Sequence, residues 1–224
     1  MQPSAALTAL LVAGHLGAGL LCAGIFGAGP AFAQTEPHGP PEAGEESAVL
    51  EEDLGQKGTD TAEAARQAHL ESLFHELANP ENGNWERTQA QIYAAWNRSG
   101  SPSMDLLAER ADKAVATQDY DTALIFLNDL VRLAPDFAEG WNKRATVYFL
   151  RDEYGLSLGD IGRVLALEPR HFGAYSGLGI ILDRLGDKEG ALEAYRRAVD
   201  IHPNLPGAAD GIRKLTREVE GERL

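Results

Sequence analysis

Thiols are almost missing from this chain. Cys22 is the one cysteine in 224 residues, which excludes a disulfide framework and any zinc site built on thiolates. Stability must therefore come from packing alone. Cations are scarce as well. The 20 Lys and Arg face 34 Asp and Glu, a formal charge of −14, and that field repels nucleic acid and anionic lipid while favouring basic partners or plain solubility. Aromatic residues reach only 7%, but 44% of the chain is hydrophobic and 24% charged, the balance of a chain whose bulk folds. A glycine-rich phosphate loop and a nucleophile motif are both absent. Of the histidines beyond residue 33, His38, His69, His75, His171 and His202, no set has ligand spacing, and His69 and His75 are six apart, on different faces of a helix. No metal, cofactor or catalysis is expected. His171 and His202 stand beside prolines, where capping of a helix end is the expected role.

An apolar stretch opens the chain. From Ala5 to Ala33 there is no Lys, Arg, Asp or Glu, and the stretch closes on Ala31-Phe32-Ala33-Gln34. Small residues at minus three and minus one, ahead of a polar residue, fit a signal peptidase pocket. Residues 1–33 therefore read as a signal peptide cleaved after Ala33, with a periplasmic or secreted location. The run is also long enough to span a bilayer, and Met1-Gln2-Pro3-Ser4 carries no Lys or Arg, so an uncleaved inner-membrane anchor is the alternative. Bulky Leu21 before Cys22 speaks against lipidation. Residues 34–60 hold Pro37, Pro40, Pro41 and the acidic runs Glu45-Glu46 and Glu51-Glu52-Asp53, and they are predicted to be a disordered acidic linker.

Three prolines then recur at a fixed interval: Pro135, Pro169 and Pro203 are each separated by 34 residues. Self-similarity at that period marks stacked helical hairpins. With each proline set at place 32, the units run 104–137, 138–171 and 172–205. Place 4 reads Leu107, Trp141 and Tyr175, all large. Places 8 and 20 are small: Ala111, Ala145 and Gly179, then Ala123, Ser157 and Ala191. Place 24 reads Leu127, Ile161 and Tyr195. Small residues let paired helices approach, large ones fill the space between hairpins, and proline ends each second helix. The second helix of the middle unit holds Gly155, Gly159 and Gly162, for which close backbone packing is the expected compensation and a hinge the alternative.

This pattern resembles the tetratricopeptide repeat (TPR) family, with Tyr175, Leu178-Gly179, Leu182, Ala191, Tyr195, Pro203 and the Gly186-Asp187 turn carrying the match most fully. The resemblance implies an all-α superhelix of about nine helices that binds a protein or peptide partner in its concave groove, with no catalysis. It resembles in particular the short, signal-bearing bacterial members. Residues 206–224 form the expected capping helix, with Ile212, Leu215 and Val219 on one stripe. At the other end, residues 61–103 read as a degenerate hairpin, with Leu70, Leu73, Phe74 and Leu77 at helical spacing and a second helix from Trp85.

In the family the groove is lined by first-helix places 2, 5, 9, 12 and 13. Carried onto this chain, these places point to Asn142, Thr146, Gly173, Ser176, Ile180 and Arg184 as partner-binding residues. Gly173, Ser176 and Gly177 read as a shallow floor for an extended peptide. A TPR subclass that grips chaperone carboxylate tails uses Lys and Asn where Ala108 and Asp112 stand here and Lys and Arg where Gly173 and Gly177 stand, so that recognition is not expected. Arg110 and Arg144 share place 7, where the family prefers Leu. They are expected either to pair with carboxylates, Asp129 and Asp160 being candidates, or to meet an acidic ligand group. Self-association and a structural role in envelope assembly form the alternative function. Membrane contact is expected only through an uncleaved signal segment.

Overall fold

A computed structural model describes residues 64–222; the expected signal peptide and acidic linker lie outside the described residues. From Leu70 onward the chain belongs to one compact unit. The other unit spans His15–His69, of which only 64–69 are described, all helical. Among the described residues there are nine helices and no strand: α1 over 64–77, α2 Trp85–Trp96, α3 Pro102–Ala116, α4 Tyr120–Leu133, α5 Ala138–Leu150, α6 Tyr154–Leu167, α7 Phe172–Leu185, α8 Lys188–Ile201 and α9 Ala208–Glu222. None of these is long and apolar enough to cross a membrane.

Local chemistry builds the 34-residue period at two places. A proline ring denies the α region to the residue before it. Ala134, Glu168 and His202 accordingly sit at φ −130°, −130° and −134°, and each second helix ends there. The other place is the turn inside each hairpin. Gln118, Asp152 and Gly186 are left-handed, with φ 59°, 59° and 87°. The next residue then reaches back to the helix it leaves: Asp119 N–H to Ala114 O, Glu153 N–H to Tyr148 O and Asp187 N–H to Leu182 O, each at 2.9 Å. These bonds satisfy carbonyls that the helix end would leave open. Asp119 and Asp187 go on to cap α4 and α8, accepting from Thr122 N–H and Gly190 N–H.

Packing follows the small-and-large pattern. Ala111, Ala145, Ala123, Ser157 and Ala191 are all buried. At Gly179 an added Cβ would lie 3.0 Å from the Tyr195 ring, and at Gly211 of α9 it would lie 2.9 Å from the same ring. Tyr195 thus fills the gap between two helices that approach it through glycine. Gly155, Gly159 and Gly162 do otherwise. A Cβ at any of them would meet nothing within 4 Å, so they face open space and serve no close packing. The three hairpins α3–α4, α5–α6 and α7–α8 stack in order, and α9 covers the last with buried Leu215 and Val219.

The hairpin α1–α2 goes to an unexpected place. Leu73, Phe74, Leu77 and Ile92 share a core with Phe172, Tyr195, Leu205 and Leu215 of the third unit and cap. The first unit packs Ala108, Ala111, Leu127 and Leu130 in a separate core with Val147 of the second. The hairpin's large rings explain the choice. Phe74, Trp85, Tyr93 and Trp96 need flat partners and depth, which His171, Phe172, Gly173 and His202 supply. Pro102 is the first residue of α3, where its missing N–H costs nothing.

Candidate protein-binding groove and its N-terminal edge

The expected groove residues begin on α5. Asn142 Nδ2–H donates to Glu139 Oε1 at 3.1 Å, and Thr146 Oγ–H donates to the Asn142 carbonyl at 2.9 Å. Both side chains are half-buried and oriented before any partner arrives. Asn142 Oδ1 and the second amide hydrogen stay available, as do the lone pairs of Thr146 Oγ1. Next to Asn142, Lys143 Nζ donates to Asp112 Oδ1 and Oδ2, both at 3.0 Å, tying α5 to α3 and neutralising the acid at place 9. On α7, Ser176 and Ile180 are half-buried. Arg184 lies 4.8 Å over the Phe149 ring and donates to Tyr154 Oη at 2.7 Å, so it is held against α5 and α6.

Gly173 is not an open floor. It is buried, and an added Cβ would lie 2.8 Å from Tyr93 Oη of α2. Around it lies a cluster that spacing alone does not reveal. His171 Nδ1 accepts from Ala174 N–H at 3.0 Å, capping α7 as expected, so its Nε2–H faces Glu139 Oε2 at 3.2 Å. Burial opposes charge on Glu139. The His171 hydrogen bond, Lys143 and Asn142 outweigh it and hold that carboxyl below its ordinary range. Trp96 stacks on His171 at 4.2 Å and 11°. Tyr93 meets Phe172 edge-on at 5.3 Å, and burial, with the Glu139 charge, pushes its phenol upward.

His202 differs from His171. It caps no helix through its side chain; its Nε2–H faces Gln89 Oε1 at 2.9 Å, and Phe172 and Trp85 pack on its ring. Its Nδ1 and Trp96 Nε1 are buried without a protein partner, and each such group costs about 1–3 kcal/mol. Polar contacts clasp the rim: Arg170 donates twice to Glu71, each at 2.8 Å, and Asn204 Nδ2–H to Pro80 O at 3.1 Å.

Arg144 donates to Asp160 through two bonds of 2.7 Å and to Asn128 Oδ1 at 3.0 Å, and it lies 4.9 Å over Trp141. Asp160 therefore holds it, while Asp129 pairs with Arg132. Arg110 is exposed, 5.9 Å from the Phe126 ring, and pairs with no carboxylate among the described residues. Among those residues no three His, Cys, Asp or Glu gather as a metal site.

Sequential hairpins joined at a 34-residue period define a helical-hairpin repeat protein. The profile described as Tetratricopeptide repeat matches residues 153–206. A TPR repeat-containing protein of Rhizobium etli is 37% identical over 163 residues, covering 72% of this chain and 80% of that protein. The chain belongs to the tetratricopeptide repeat family, whose domains mediate protein–protein interaction. It also resembles the small glutamine-rich tetratricopeptide repeat-containing protein 2 of Saccharomyces cerevisiae, at 30% identity over 42% of this chain, but it spans only 28% of that protein. Two solved structures share the fold. The Sgt2 TPR domain of Aspergillus fumigatus gives a TM-score of 0.52 at 22% identity, covering 55% of this chain and 83% of that one. The first TPR of Spaghetti (RPAP3), bound to an HSP90 peptide, gives 0.51 at 24%, covering 52% and 93%.

Proposed function

We propose that this protein is an exported, non-catalytic scaffold that holds an extended segment of a partner protein along α5 and α7. The observation that carries this is the pre-oriented pair Asn142 and Thr146, whose remaining donor and acceptors match a peptide backbone. Ser176, Ile180 and Arg184 on α7 form the other side. The segment is neutral or basic. Ala108, Gly173 and Gly177 stand where cations would grip an acidic tail, Asp112 where an asparagine would, and the net charge of −14 repels one. The partner that copurifies with the wild-type protein should be lost from an Asn142→Ala/Ser176→Trp variant of unchanged helicity, and retention would end this reading. An acidic peptide such as the SRMEEVD bound by the RPAP3 domain should show no heat of binding by calorimetry.

Export is supported by the uncharged stretch Ala5–Ala33 and its Ala31-Phe32-Ala33 ending. Mass spectrometry of the protein from its native cell should give a terminus at Gln34. The length of the same stretch favours a second reading, a membrane-anchored scaffold, for which an intact Met1 terminus in the membrane fraction is the expected result.

A further inference from the structure

The third unit's floor is met by side chains of the chain's own α2, Tyr93 and Trp96. Gly173 leaves room for a side chain from another element, with Tyr93 Oη where a Cβ would intrude at 2.8 Å. His202 Nε2–H bonds Gln89 of α2 and Phe172 shares the hairpin's core, but the His171 part of the surface is ordered without its cover. His171 has both ring nitrogens engaged, one by Ala174 of α7 and one by Glu139 of α5, so Trp96 adds only a stacked face. The cover fits imperfectly, since Trp96 Nε1 and His202 Nδ1 are buried here with no protein partner. At the rim the clasp is polar: the Arg170–Glu71 pair, with side chains 38% and 64% exposed, and the single bond from Asn204 to Pro80.

We propose that His171, Phe172, Gly173 and His202 form a docking site for an amphipathic helix bearing an aromatic pair at i and i+3. In this chain α2 fills the site in cis through Tyr93 and Trp96. A partner helix of the same chemistry enters by displacing the α1–α2 hairpin. Anchors one turn apart are how a helix is read by a groove, and the flat His171 ring and the glycine notch give each anchor its seat. The inference rests on the chain being a protein-binding scaffold, and it adds a site that is closed until the hairpin lifts.

The test uses a fluorescent peptide of residues 70–98 as the probe, full-length protein, and hydrogen exchange followed by mass spectrometry. Wild-type protein should bind the probe weakly, because the tethered copy competes. Tyr93→Ala/Trp96→Ala should raise exchange in residues 70–97, leave α3–α6 protected, and bind the probe roughly tenfold or more tightly, the gain expected when a mostly closed site opens. Adding Gly173→Leu should abolish that binding by filling the notch. Three outcomes overturn the proposal: a hairpin still protected in the double variant, loss of protection throughout α3–α6, or a released hairpin with no gain in probe binding. A wild-type dimer that the double variant converts to monomers also overturns it, because a second copy would then hold the site. Probe binding does not involve Asn142 or Ser176, so its failure is separate from failure of the groove.

Discussion

Arg144 stands at a place where the family prefers leucine, and its surroundings explain how a cation lives there. Its guanidinium takes both oxygens of Asp160, adds Asn128, and lies over Trp141. Removing either partner strands the other in a mostly buried setting. Arg144→Ala is expected to lower stability by about 3 kcal/mol in urea denaturation, and Arg144→Met/Asp160→Leu by less than either single change. His202 makes a second prediction. Burial lowers its pKa from 6.5 to about 4, because a proton on Nδ1 would have no acceptor. The unfolded chain therefore takes up that proton at higher pH than the folded one. The stability contributed is complete above pH 6.5 and is lost as pH falls towards 4. Thermal midpoints measured across that range should drop less steeply for His202→Leu than for wild type. Residue type and place marked Arg144 as needing a carboxylate, but sequence left Asp129 and Asp160 equal. Arg132 lies one turn from Asp129 and takes it.

Helix α6 shows how a regular element can carry a cost without a neighbour to offset it. Gly159 and Gly162 lie in its interior and face open space. Gly159→Ala and Gly162→Ala should each stabilise the protein by about 0.5–1 kcal/mol, read from the thermal midpoint, since nothing obstructs the added methyl. Gly179 is the opposite case, pressed on the Tyr195 ring at 3.0 Å. Sequence placed all of these glycines on helices, because periodicity reports which residues share a helix. It could not separate a glycine that admits a ring from one that faces solvent, because that depends on what the next helix presents. The hairpin turns were more legible. Place 15 takes a left-handed residue in all three units, and the Asp or Glu that follows it, with the proline at place 32, bounds each helix.

Stacked repeats stabilise one another through their interfaces, so the end of the array matters more than its size. Leu215 of α9 is fully buried in the core shared by α7, α8 and the N-terminal hairpin. Leu215→Ala should cost about 2–4 kcal/mol in urea denaturation, with hydrogen exchange rising first in α7–α9. The period of 34, the small and large places, the prolines and the capping stripe determined the repeat, its family and the order of its helices. Each of these acts within one unit or between neighbours in sequence, where spacing and direction are coupled. The seat of residues 70–97 was decided only by the folded chain. Glu71 meets Arg170 across 99 residues and Gln89 meets His202 across 113. Contacts that distant leave no periodic trace, so only the ring-shaped space around Gly173 could select Tyr93 and Trp96 to fill it.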